Sequence, residues 1–110
     1  MIIALEIDNI VSTPLSNAYA INEVHECKVI PGAKEALEKF KKLNHTILIY
    51  SKRDVSLLID TEMWLQKNKI PYDQVLVGKP RYDVVLDPCA FKFKNWDEFL
   101  EKYKHTLQSV

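Results

Sequence analysis

The chain opens with an apolar run that ends in two acids one residue apart, Met1-Ile2-Ile3-Ala4-Leu5-Glu6-Ile7-Asp8. Apolar residues without alternation predict a strand that is buried on both faces, and we expect it over residues 2–7. Acidic side chains are uncommon at the end of such a strand unless they are paired or bind a cation. In an open α/β sheet, ligands bind beyond the carboxyl ends of the strands. Glu6 and Asp8 are therefore candidate functional residues.

The composition is that of an ordinary globular protein. The 110 residues are 47% hydrophobic and 27% charged, which is enough for one core but not two, so we assign 1–110 to a single domain. Fifteen basic residues balance fifteen acidic ones, which argues against nucleic acid or an anionic membrane as a partner.

No apolar stretch approaches the ~18 residues that span a bilayer. Two cysteines are too few for a disulfide scaffold and predict thiols in a reducing cytoplasm.

Three further apolar segments predict strands, at residues 46–50, 74–77 and 84–86. Apolar residues at helical spacing predict helices that begin near Pro31, after a cap at Asp54 and after a cap at Asn95. Strands that alternate with helices predict a Rossmann-like three-layer α/β sandwich with a mainly parallel sheet. Only about six residues separate the last two strands, too few for a parallel crossover. One of these two strands is therefore antiparallel, at an edge, or not paired with the other.

Polar residues follow the predicted strands, and in chain order they are Glu6 with Asp8, Ser51, Lys79 and Asp87. Because the ends of parallel strands lie side by side, we expect these residues to converge on one crevice. Carboxylates bind a hard cation such as Mg²⁺, and a hydroxyl with an ammonium group binds phosphate oxygens. A carboxylate can also attack phosphorus. The set predicts a site for Mg²⁺ and phosphate, although each member alone also suits an ordinary turn, cap or surface position.

The order acid-x-acid, hydroxyl, lysine, acid resembles the haloacid dehalogenase-like superfamily of phosphohydrolases. Its four motifs are similar to residues 2–10, 48–53, 77–80 and 84–88. The run 64–80 is especially similar to small members without a cap domain, described as capsular-polysaccharide-biosynthesis phosphatases. The segment 52–77 is too short to contain a cap, so the resemblance implies an open site. A bacterial receiver domain fits less well, because its acceptor aspartate would stand where this chain has Ser51.

The resemblance assigns a role to each polar residue. Glu6 aligns with the nucleophile and a Mg²⁺ ligand, and Asp8 with the general acid/base, whose backbone carbonyl also binds the metal. Ser51 and Lys79 align with the groups that orient phosphate, and Asp87 with a further metal ligand. The implied activity is Mg²⁺-dependent hydrolysis of a small phosphorylated metabolite, with a sugar phosphate as one candidate.

Three residues depart from the family pattern. Glu6 replaces aspartate, Ile10 replaces a threonine, and Pro88 replaces the second acid of the last motif. The longer Glu6 side chain displaces the attacking oxygen by roughly 1 Å, which can slow phosphoryl transfer by ~100-fold. Two hypotheses follow: a phosphatase with impaired turnover, or an inactive relative that binds a phosphorylated ligand or a protein.

Two further questions concern the surroundings of this site. Arg53 either contacts a substrate anion or forms a salt bridge at the start of a helix. Because a site without a cap is open, a second copy of the chain or another protein is a candidate to cover it.

Overall fold

The computed structural model describes residues 1–80 and 82–108, and its centre is a parallel sheet of three strands. The strands are β1 (Ile2–Glu6), β2 (Thr46–Tyr50) and β3 (Gln74–Leu76), in the spatial order β1-β2-β3. Glu6 stands opposite Tyr50, and Tyr50 stands opposite Leu76. All three strands therefore end at the same edge, as predicted for a Rossmann-like α/β protein.

Three α-helices accompany the sheet: α1 (Ala33–Lys42), α2 (Leu58–Lys67) and α3 (Trp96–Gln108). Two 3-10 helices, Ile21–Glu26 and Val55–Leu57, lie in the connections. The predicted caps are present: the Asp54 carboxylate accepts a hydrogen bond from the amide of Ser56, and the Asn95 side chain accepts one from the amide of Glu98. Such caps satisfy amide groups that have no partner within the helix.

Gly32 allows α3 to approach the start of α1. Its φ is 87°, in the left-handed region, and a Cβ at this position would lie 3.2 Å from the Cβ of Trp96. A side chain here would meet both backbone strain and a crowded neighbour. The indole of Trp96 also donates a hydrogen bond to the carbonyl of Ile10, so α3 is fastened to the loop after β1.

The core lies on one face of the sheet. Leu5, Ile47 and Ile49 point into it and join Phe40 from α1 and Leu65 from α2 in one buried cluster. Both connections between strands run in the same direction across the sheet, so right-handed crossovers place α1 and α2 on the same side. α3 packs beside α1, where the rings of Phe99 and Phe40 are 6.1 Å apart.

The opposite face of the sheet remains accessible, and this corrects the predicted three layers. Ile2, Ala4 and Leu76 alternate with the core residues and are exposed, Ile2 to 69%. Among the described residues, the helices form one layer against the sheet. The sequence predicted a second helical layer because a strand with a continuous apolar run normally has both faces covered.

The predicted fourth strand is also wrong. Residues 84–86 have no strand pairing, and Val84, Val85 and Leu86 are 74%, 54% and 93% exposed. β-branched residues favour a pleated, half-buried surface, but a strand forms only where a partner strand is available. The short connection after β3 cannot return the chain parallel to its neighbours.

Two polar contacts outside the strand ends fasten the sheet to the helices. The carboxylate of Asp73 accepts hydrogen bonds from Lys41 at the end of α1 and from the amide of Ile47 in β2. The buried ring of His45 lies 2.9 Å from the carbonyl of Leu107, near the end of α3.

In the parts of the chain that the structure describes, every helix is too short or too polar to cross a lipid bilayer.

Candidate functional site

A cleft of about 900 Å³ opens at the carboxyl ends of the strands. Its charged lining consists of Glu6, Asp8, Lys52, Arg53 and Lys94. Glu6 is the last residue of β1, Asp8 follows β1, Lys52 and Arg53 follow β2, and Lys94 precedes α3. The cleft therefore lies where the sequence predicted it, beyond the ends of the first two strands.

The turn after β1 holds Asp8 at the cleft. The carbonyl of Ile7 accepts hydrogen bonds from the amides of Ile10, Val11 and Ser12 at 3.4, 3.0 and 2.9 Å. Asn9 takes a φ of 68°, a left-handed conformation that asparagine tolerates better than most residues. The chain reverses immediately after Asp8, so the carboxylate is fixed next to the end of β2.

Arg53 forms a buried, two-bond ion pair with Asp8. Its Nη2 lies 2.8 Å from Oδ1 of Asp8 and its Nε lies 3.3 Å from Oδ2. Nη1 donates to the hydroxyl of Thr61 at 3.0 Å. Arg53 is only 2% exposed and the side chain of Asp8 is 22% exposed. The planar guanidinium matches both carboxylate oxygens, which makes this the best-defined charge pair at the cleft.

Ser51 and Lys79 are neighbours through the backbone. The amide of Lys79 donates to the carbonyl of Ser51, and the amide of Gly78 donates to the carbonyl of Arg53. Ser51 itself is fully buried, and its hydroxyl accepts a hydrogen bond from the amide of Arg53 at 3.0 Å. The structure thus places the predicted phosphate-binding hydroxyl within a turn and not among the cleft-lining residues.

Lys79 stands beside Glu6 and between two tyrosines. Its Nζ is 3.9 Å from Oε2 of Glu6, 3.7 Å from the centre of the Tyr50 ring, and 2.6 Å from the hydroxyl of Tyr82. Partial burial alone would lower the pKa of Lys79, but the hydrogen bond to Tyr82 and the nearby Tyr50, Tyr82 and Glu6 together raise it. The side chain is therefore held as a cation next to Glu6.

Asp87 lies apart from the cleft lining. It is exposed, and its carboxylate accepts a hydrogen bond from the amide of Cys89, two residues on. This local bond is a common role for aspartate in a turn. The loss of the fourth strand explains the position, because that strand was expected to carry Asp87 to the sheet edge.

The predicted Mg²⁺ ligands are not assembled. Over residues 1–80 and 82–108, no three carboxylate, imidazole or thiol side chains lie together in a way that could hold a metal ion. Of the two side chains implied as ligands, Glu6 lies 3.9 Å from the ammonium group of Lys79, and Asp87 lies apart from the cleft lining. The described residues therefore do not fit Mg²⁺, which prefers several oxygen ligands in near-octahedral geometry.

The cleft contains more basic than acidic groups. Three basic side chains and two acidic ones line it, and Arg53 neutralises Asp8. Lys79 lies next to Glu6, so Lys52 and Lys94 provide the remaining positive charge.

The sequence left two roles open for Arg53, and the structure shows the salt bridge. Nothing in the local sequence marks Lys94, because its position depends on how α3 packs against the loop after β1.

Comparisons with solved structures agree on the fold. A crystal structure of a structural-genomics target from Vibrio cholerae matches with a TM-score of 0.73 and 23% identity, covering 98% of this chain and 96% of the other. A chain of the Pnkp1/Rnl/Hen1 RNA repair complex matches with a TM-score of 0.61 and 19% identity over 69% of this chain. A chain from another structure of the Pnkp1/Rnl/Hen1 complex matches with a TM-score of 0.59 and 21% identity over 74% of this chain.

The match to the two Pnkp1/Rnl/Hen1 chains spans only 24% and 30% of their lengths. No protein-family model matches the chain. No curated protein matches it either. At these identities the structural matches establish the class of fold, a small parallel α/β domain.

Proposed function

We propose that this protein binds phosphorylated small molecules in the cleft, on a haloacid dehalogenase-like scaffold that has lost turnover. The observation that carries the proposal is the ion pair between Arg53 and Asp8. It engages both oxygens of the carboxylate that the family resemblance assigns to proton transfer. It also cancels the negative charge of Asp8, so the lysines at the cleft face an incoming anion without competition from that group.

The family assignment rests on the order of the polar strand ends. Glu6 ends β1 and Asp8 follows it, Ser51 follows β2 and Lys79 follows β3, all at one edge of a parallel sheet. This is the arrangement that the motif resemblance implies for the first three motifs. The fourth motif, at residues 84–88, has no equivalent place in the structure.

A phosphatase is the second candidate function. It is favoured by Glu6 and Asp8 lining one cleft, with Lys79 3.9 Å from Glu6. A carboxylate next to a cation can act as a nucleophile toward a phosphoryl group. The pairing of Asp8 opposes it, because protonation of the leaving group would require the carboxylate to leave a buried partner.

The deciding experiment measures binding and hydrolysis on the same protein. Binding of inorganic phosphate is followed by calorimetric titration, and hydrolysis of an aryl phosphate is followed with and without Mg²⁺. We expect saturable phosphate binding, weaker binding in Lys52→Ala, and no hydrolysis above the rate in buffer. Lys34→Ala is the matched control, because Lys34 lies on α1 and is not among the residues that line the cleft.

Two results would contradict the proposal in different ways. Absence of phosphate binding at millimolar concentrations would remove the binding function. Hydrolysis by the natural chain that disappears in Glu6→Gln would establish the phosphatase instead. Glu6→Asp adds a separate comparison: hydrolysis that occurs only in this variant identifies the longer side chain as the cause of lost turnover.

A further inference from the structure

We infer that Tyr82 is a ligand-contacting residue of the phosphate site, and that its hydroxyl and two lysines bind the phosphate oxygens together. The inference rests on the proposed function and deepens it by adding a residue that no sequence motif marked. Tyr82 lies in the loop after β3, next to both Lys52 and Lys79.

Tyr82 links Lys52, which lines the cleft, to Lys79, which lies beside Glu6. Nζ of Lys79 donates to its hydroxyl at 2.6 Å. Nζ of Lys52 lies 3.8 Å from the centre of its ring and 3.5 Å from its backbone carbonyl. Because Lys52 lines the cleft and Lys79 contacts Glu6 at the end of β1, this group adjoins the cleft wall.

The hydroxyl of Tyr82 can donate a hydrogen bond to a bound anion. A hydroxyl has one proton and two lone pairs, and here the oxygen already accepts a hydrogen bond from the ammonium group of Lys79. Because the ammonium group repels the proton of the hydroxyl, we expect that proton to point away from Lys79, where an anion can accept it. The cation polarises the O–H bond, which strengthens a hydrogen bond that the hydroxyl donates.

The ring adds a second effect, which is to hold Lys52. A lysine side chain has several rotatable bonds and loses conformational freedom when it binds an anion. Contact with the face of Tyr82 restricts Lys52 before the ligand arrives. Restriction in advance favours binding, because less freedom is lost on association. Two ammonium groups and a hydroxyl supply a donor for each terminal oxygen of a phosphomonoester.

The test measures the affinity for inorganic phosphate in three variants. Tyr82→Phe retains the ring but removes the hydroxyl, and we expect about tenfold weaker binding, the usual effect of losing a hydrogen bond to a charged group. Tyr82→Ala also removes the ring and is expected to bind still more weakly. Tyr72→Phe is the control, because the Tyr72 hydroxyl contacts Gln66 and Glu62, whereas Tyr82 contacts Lys52 and Lys79.

A spectroscopic readout separates direct contact from a structural role. Phosphate binding should perturb the ultraviolet absorption of tyrosine in the natural chain and in Tyr72→Phe, but not in Tyr82→Phe. Circular dichroism establishes that each variant is folded. If the natural chain binds phosphate and Tyr82→Phe binds equally well, the inference is wrong while the proposed function stands. If the natural chain binds no phosphate, the proposed function fails, and the role of Tyr82 fails with it.

Discussion

Arg53 and Asp8 form a two-bond ion pair across the end of the sheet, with the shorter contact at 2.8 Å. The pair joins the turn after β1 to the turn after β2. From the sequence we expected Asp8 to take part in chemistry, and ligand contact was one of two roles expected for Arg53. Here the two charges compensate each other, and the other charged residues that line the cleft are Glu6, Lys52 and Lys94.

The first prediction concerns the stability that this pair provides. We expect Arg53→Met to lower the free energy of unfolding by about 3 kcal/mol, because removal of one partner leaves a largely buried charge uncompensated. Urea denaturation measures the change. Arg53→Lys retains the charge but cannot pair with both oxygens, so its loss should be smaller. In the double variant Asp8→Asn with Arg53→Met, the total loss should be less than the sum of the single losses; strict additivity would contradict the pairing.

The second prediction concerns metal dependence. We expect Mg²⁺ to leave the affinity for phosphate unchanged, because the described carboxylates do not assemble a magnesium site. Calorimetric titrations with and without millimolar Mg²⁺ make the comparison, and a parallel titration of the metal alone tests for direct binding. The prediction would be wrong if Mg²⁺ tightened phosphate binding and Asp87→Asn abolished that effect. Such a result would support the metal site that the family resemblance implies.

The third prediction concerns pH and Asp73. Hydrogen bonds from Lys41 and then from the amide of Ile47 hold the pKa of Asp73 below its ordinary value of 3.8, in spite of the opposing effect of burial. A carboxyl with a lowered pKa in the folded state stabilises the protein fully above its unfolded pKa, and this contribution disappears as the pH falls through the folded value. We therefore expect Asp73→Asn to be less stable than the natural chain at neutral pH and to lose less stability on acidification.

Urea denaturation at neutral and at acidic pH tests this difference. The exposed Asp83 provides the matched control, as Asp83→Asn, because this residue lies in the loop after β3. Equal acid dependence of Asp73→Asn and the natural chain would show that the contact with Lys41 and Ile47 does not affect folding stability.

The fourth prediction concerns the segment at residues 84–86. Because Val85 is 54% exposed and has no strand partner, we expect Val85→Ser to change the free energy of unfolding by no more than about 0.5 kcal/mol. Ile49→Ala, at a fully buried position in β2, should cost about 2–5 kcal/mol. A cost for Val85→Ser near that of Ile49→Ala would mean that the segment is buried as a strand.

Much of the fold could be predicted because its signals are local. Two strands could be predicted from apolar runs alone: one is followed by Glu6 and Asp8, and the other ends at Ser51. These runs predict strands whatever the arrangement of the rest of the chain. The caps at Asp54 and Asn95 likewise depend on a side chain and amides only a few residues away. Such features need no knowledge of distant contacts.

The candidate site could be predicted only in part. The sequence identified the edge of the sheet and the residues that end each strand, which follows from the parallel order alone. It did not predict that Arg53 would form an ion pair with Asp8, or that Ser51 would be buried in its own turn. It also did not predict that Tyr82 would contact two lysines. Each of these depends on side chains brought together from distant positions in the chain.

The sequence by itself therefore determined the parallel α/β class, the strand ends and the charge of the residues near them, because periodicity and capping act over a few residues. Only the tertiary structure decided that the helices cover one face, that residues 84–86 remain unpaired, and that Asp87 stays away from Glu6 and Asp8. The physical reason is that burial and pairing require a partner, and whether a partner is available depends on the direction of the crossovers and the packing of α3.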